Sequence, residues 1–85
     1  MASFRLLIKA SAAKELEAIP SRDRRRLVAR IQKLADEPRP EGSEKLSGHD
    51  LHRSRQDVTR VLYTIADREL IVLVIKVGHR REVYR

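Results

Sequence analysis

Three residue types near the end of the chain, arginine, histidine and tyrosine, are suited to phosphate chemistry. Arg60 opens the strand-like run Val61-Leu62-Tyr63-Thr64-Ile65, and an apolar run from Leu70 to Val77 leads straight into Gly78-His79-Arg80-Arg81-Glu82-Val83-Tyr84-Arg85. Two such runs read as neighbouring strands of one small sheet, with their polar ends brought to a common edge. Gly78 lets the backbone turn there, so that neighbouring polar side chains project from that edge. Cations, an imidazole and a phenol gathered in this way suit the holding and cutting of a phosphodiester.

RNA carries its own nucleophile, the 2′-hydroxyl. Cleavage then needs in-line geometry, a base for the hydroxyl proton, charge stabilisation at the phosphorane and an acid for the departing 5′-oxygen. Arginine, with an ordinary pKa of about 12.5 or more, is a poor base but a good bidentate clamp on phosphate oxygens. Proton transfer therefore falls to Tyr84 or His79, whose ordinary values are about 10 and about 6.5. Nearby arginines favour the phenolate, so Tyr84 is a candidate base or the group that aligns the 2′-hydroxyl. Each residue also has a purely structural reading. Arg60 would pair with Asp57 or Asp67 across the hairpin, Tyr84 would be a packed terminal aromatic, and His79 would be a polar rim residue, as would His49 and His52. Tyr63, in line with Val61 and Ile65, reads as core.

Metal chemistry finds no support. There is no His-Glu-x-x-His and no cluster of paired carboxylates, and the three histidines are scattered. The chain has no cysteine, which excludes disulfides and thiolate metal sites. No cofactor is expected.

The 85 residues have room for one domain, 1–85. A chain of this size buries only roughly 60 to 65% of its unfolded surface, which leaves a thin margin of stability and gives a partner's apolar surface value. Lys and Arg total 19 against 12 Asp and Glu, a net charge of +7. That excess points to a polyanion, nucleic acid first and an acidic protein second, because each neutralised phosphate releases condensed counterions. No apolar run is long enough for a signal peptide core or a membrane span, so the expected location is the cytoplasm and no membrane partner is expected.

The positioning elements follow from periodicity. Phe4, Leu6 and Ile8 alternate with Arg5, Leu7 and Lys9 as one dry face of a first strand. Ser11 caps a short helix over 11–19, with Ala12, Leu16 and Ile19 inward, and Pro20 ends it. Ser21 starts a second helix whose Leu27, Val28, Ile31, Leu34 and Ala35 face inward, leaving Arg22, Arg24, Arg25, Arg26, Arg30 and Lys33 on the outer side. That basic side is either a solvated face or an RNA-contacting one. Residues 36–43, with Pro38, Pro40 and Gly42, read as a loop, and Leu46 and Leu51 dock its far end on the core around a turn at 47–50. Strands are expected over 51–55, 60–66 and 70–77, with a tight connection at 66–69. The class is α+β: a strand and two N-terminal helices packed on an antiparallel-rich sheet of about four strands, the first strand pairing in parallel with a later one.

This order, with Arg60-Val-Leu-Tyr-Thr-Ile65, Val77-Gly-His-Arg80 and a closing Val83-Tyr-Arg85, resembles the RelE branch of the RelE/ParE toxin superfamily over nearly the whole chain. Ala12-Ala-Lys-Glu-Leu16 and Pro20 add to the likeness. The resemblance implies a small bacterial toxin that enters the ribosomal A site, cuts messenger RNA there without a metal, and is neutralised by an antitoxin encoded beside it. It implies that Arg53 and Arg55 bind RNA phosphates, and that Arg60, Arg80 and Tyr84 act at the scissile bond, with His79 alongside. The chain departs from the family at 57–60. The common Gly-Asp-Tyr-Arg is here Asp57-Val58-Thr59-Arg60, which removes a turn glycine and a base-stacking tyrosine, and His52 stands where a tyrosine is frequent. A ParE-like gyrase inhibitor and a noncatalytic RNA- or protein-binding module of the same fold are the alternatives; the complete set of Arg60, Arg80 and Tyr84 argues against the first and the altered hairpin favours the second.

Overall fold

The computed structural model describes residues 3–46, 51–56 and 59–79. Five strands and two helices follow in the order β1 (Arg5–Ile8), α1 (Ala10–Glu17), α2 (Ser21–Lys33), β2 (Ser43–Lys45), β3 (Leu51–Gln56), β4 (Thr59–Ala66) and β5 (Ile71–His79). The sheet order is β1-β5-β4-β3-β2. β1 runs parallel to β5 and every other pair is antiparallel. The α+β class is as expected, with one strand more than the four anticipated. The extra strand is β2, which begins at Ser43, the last residue of the stretch read as a loop, and runs on to Lys45. It has no apolar residue and exists through its pairing with β3, after Gly42 turns the chain at φ +91, a conformation that suits glycine.

Both helices cover one face of the sheet. Ala12 and Ile19 from the α1 side and Leu27, Ile31 and Leu34 from the α2 side join Val61, Tyr63, Val72, Val74 and Val77 in a single buried cluster, with Phe4, Leu6, Leu16 and Ile65 packed at its margin. Leu27, Ile31 and Leu34 recur at helical spacing, so α2 turns one stripe to the sheet. Tyr63 is fully buried, and its hydroxyl donates to the Pro38 carbonyl at 2.7 Å, fastening the proline-containing loop to the core.

Several local expectations change. Ser11 does not cap α1. The helix starts one residue earlier, because the Lys9 N–H donates to the Val74 carbonyl (2.9 Å) and the chain leaves β1 directly into the first turn. Ile8 is exposed at the sheet edge, along with Leu7, so the dry face of β1 is Phe4 and Leu6 alone. Leu46 and Leu51 are half-buried outside the core cluster; the Leu46 N–H donates to the Leu51 carbonyl, and the turn at 47–50 lies outside the described residues. Leu70 belongs to the turn before β5, with φ +55.

Candidate RNA-facing surface

Alternation along β3 and β4 divides their side chains between two environments. His52, Ser54, Thr59, Val61 and Tyr63 are buried on the helix side, so Arg53, Arg55, Arg60 and Leu62 belong to the opposite face, away from the helices. The antiparallel register pairs Arg55 with Arg60 and Arg53 with Leu62. On its other side Arg60 pairs with Gly78, and Thr59 with His79. Three of the arginines singled out from sequence thus occupy neighbouring positions on one face. Directly opposed residues carry their Cβ atoms about 5 Å apart, so the Arg55 and Arg60 side chains leave the sheet side by side.

The surroundings refine this picture. Arg53 forms an ion pair with Glu44, its cross-strand partner on β2, and its side chain is only 17% exposed. It comes to the surface already holding a carboxylate. Asp67, a sequence candidate for pairing with Arg60, instead accepts two bonds from Arg39 at 3.0 and 3.1 Å. The guanidinium beside it holds the Asp67 carboxyl below its ordinary range, and the same bonds raise the pKa of Arg39. Asp57, the other candidate, lies outside the described residues. So do Arg80 and Tyr84, while His79 closes β5.

His52 is neither an RNA-facing nor a rim residue. It is buried on the helix side and stacks on Tyr63 with ring centroids 5.6 Å apart. Burial raises the Tyr63 pKa, against the opposing influence of the Ser43 hydroxyl and the charges of Arg39 and Arg30. Both rings serve the core. On α2, Arg30 is half-buried and donates from Nε to the Ser54 hydroxyl at 3.2 Å, so it belongs to the packing against β3 and not to the outer face. Arg24 donates to the Glu17 carbonyl at 3.2 Å. Arg22, Arg25, Arg26 and Lys33 remain exposed, as expected of the helix's basic side.

Sequence reasoning missed Glu15. From α1 it accepts a bond from the Lys76 ammonium (2.6 Å) and another from the Val77 N–H (3.0 Å). Partial burial pushes its pKa up, but these two bonds outweigh it and leave the carboxyl below its ordinary value. Among the described residues no group of three or more His, Asp or Glu side chains converges as a cation site, and no helix is long and apolar enough to cross a membrane.

A family model described as the ParE toxin of type II toxin–antitoxin systems, parDE, matches residues 6–84. No curated protein matches. Among solved structures, the chain is similar to the archaeal RelE–RelB complex of Pyrococcus horikoshii, at 27% identity and a TM-score of 0.83, covering 94% of this chain and 98% of that one. A free arginine-to-alanine double variant of the Escherichia coli toxin RelE matches at 30% identity and 0.77, covering 98% and 87%. The intact E. coli RelBE toxin–antitoxin complex matches at 28% and 0.79, covering 91% and 96%.

Proposed function

The chain belongs to the ParE toxin family of type II toxin–antitoxin systems, within the RelE/ParE superfamily, and on that premise we propose that it is a ribosome-dependent mRNA endoribonuclease. The observation that carries this reading is the alignment of Arg55, Arg60 and Gly78 across three strands on the helix-free face, beside Arg53. Cross-strand arginines on one face can offer an RNA phosphate charge-assisted, bidentate bonds. From Gly78 the chain passes directly into His79 and Arg80.

In this mechanism Arg53 and Arg55 hold phosphates flanking the scissile one, with His79 at their side. Tyr84 takes or aligns the 2′-hydroxyl proton. The 2′-oxygen attacks phosphorus, the bond to the 5′-oxygen breaks as that oxygen takes up a proton from water, and the products are a 2′,3′-cyclic phosphate and a 5′-hydroxyl. Arg60 and Arg80 neutralise the charge that builds on the phosphorane oxygens. No step requires a metal. The ribosome supplies substrate alignment that so small a surface cannot, which is worth several orders of magnitude in rate. The setting is the cytoplasm, where ribosomes translate. The partner there is a cognate antitoxin, as the RelB of the complexes above is to RelE.

Primer extension on the same message, translated and untranslated, tests the proposal. Cuts confined to translated message support it; equal cutting of both, or none by the purified toxin under translation conditions, overturns it. The ParE family match favours a second reading, inhibition of DNA gyrase. A supercoiling assay with purified gyrase separates the two, because a toxin that acts through the ribosome leaves supercoiling unchanged.

A further inference from the structure

β5 is longer than the strand beside it. Its pairing with β1 ends at Ile8 and Val74, whereas its pairing with β4 runs on to Thr59 and His79. Beyond Val74 the β1 side of β5 would be a bare edge, and α1 lies against it. The Glu15 carboxylate takes the place of the missing strand there, one oxygen accepting the Val77 N–H and the other the Lys76 ammonium.

This contact sits beside an irregularity. Leu62 pairs with Lys76 but Tyr63 pairs with Val74, which leaves Ile75 as one extra residue in β5. In an unbulged register continued from Tyr63 and Val74, Leu62 would oppose Ile75, Val61 would oppose Lys76 and Arg60 would oppose Val77. That slip would send the Lys76 side chain into the helix-covered face and bring Val77 out of it. With the bulge, Val77 joins the core beside Val61, and Gly78, which has no side chain to crowd the guanidinium, stands opposite Arg60.

We propose that Glu15 is a positioning residue: by holding Val77 and Lys76 it fixes the bulged register of β5, and with it the placement of Gly78 opposite Arg60 and of His79 opposite Thr59. For activity this rests on the ribonuclease reading; for the register it does not. Lys76 accordingly serves the strand edge, not the RNA.

The experiment compares parent, Glu15→Ala and Glu15→Gln by two readouts. Amide hydrogen exchange and the cross-strand Arg60–Gly78 proton contact, both from NMR, report the register. Single-turnover cleavage at saturating ribosome, with ribosome affinity measured beside it, reports the chemistry. Glu15→Ala should speed exchange at Val77 more than in the rest of β5, weaken the Arg60–Gly78 contact, and slow cleavage on the order of 10- to 100-fold with affinity changed little, as for a misplaced group. Glu15→Gln keeps an oxygen for the Val77 N–H and should recover most of both. Parental exchange and an intact contact in Glu15→Ala overturn the inference whatever the activity. A uniform rise in exchange over the whole sheet also overturns it, because that marks a general loss of stability. A parent that cuts nothing under translation conditions counts against the ribonuclease reading alone, and the NMR comparison still decides the role of Glu15.

Discussion

Arg55 and Arg60 are direct cross-strand partners on the face of the sheet that the helices leave uncovered. On the ribonuclease reading, two cations so placed act on one stretch of RNA, and their removal should be felt as lost counterion release. Arg55→Ala should weaken ribosome binding and lower the slope of log affinity against log salt by about 0.7 to 0.9, the value for one phosphate contact. Titrations at several salt concentrations measure it, and a parental slope would remove Arg55 from the binding surface. Because the two residues are adjacent, the double variant Arg55→Ala/Arg60→Ala should depart from the sum of the single effects.

On the ribonuclease reading, Glu44 would compete with RNA for Arg53. Its side chain is largely exposed while that of Arg53 is mostly covered, so removing the carboxylate leaves the arginine in place without this competing anion. Glu44→Ala should therefore tighten ribosome binding and steepen its salt dependence, whereas Arg53→Ala should have the opposite effect. The same titrations check both. Weaker binding by Glu44→Ala would mean that the ion pair organises Arg53 for RNA instead of occupying it.

The packed faces of the strands and helices were more legible in the sequence than the contacts that arrange the candidate residues. Alternation of Val61, Tyr63 and Ile65 identified the packed face of β4, and from it the opposite face of Arg60 follows; α2 was equally plain from Leu27, Ile31 and Leu34. β2 was hidden because Pro38, Pro40 and Gly42 dominate the local signal and Ser43-Glu44-Lys45 has no apolar alternation. No local pattern marks Glu15, whose partners Lys76 and Val77 on β5 lie far along the chain. Nor does local pattern tell which arginine of α2 turns inward. Arg30 does so because the hydroxyl of Ser54, buried on β3, is within its reach.

Acid should expose the Glu15 contact. The carboxyl's pKa in the folded protein lies below its ordinary value of 4.5, so the folded state favours the ionised form. The stability this provides is present above pH 4.5 and is lost as pH falls below that value through the folded pKa. Glu15→Gln has no such proton to bind. Its thermal midpoint should therefore fall less steeply with acidification than the parent's, and parallel pH profiles would show that the carboxylate gains nothing from Lys76 and Val77.

Two tyrosines carry hydroxyls with opposite assignments, and one substitution type separates them. The Tyr63 hydroxyl is buried and donates to the Pro38 carbonyl, so Tyr63→Phe should lower stability by about 1 kcal/mol and leave cleavage near the parental rate. Burial raises its pKa above 10.0, so the parent should lose stability as pH climbs past that value, a component absent from the Phe variant. Tyr84→Phe should do the reverse. The ring is kept, yet a proton-transfer role predicts a loss of cleavage on the order of 10² to 10⁴-fold with an unchanged thermal midpoint. Single-turnover cleavage and thermal unfolding, run on parent, Tyr63→Phe, Tyr84→Phe and Tyr84→Ala, give the full comparison. If Tyr84→Phe cuts as fast as the parent and only Tyr84→Ala is slow, ring area carries the effect and Tyr84 leaves the chemistry to another group.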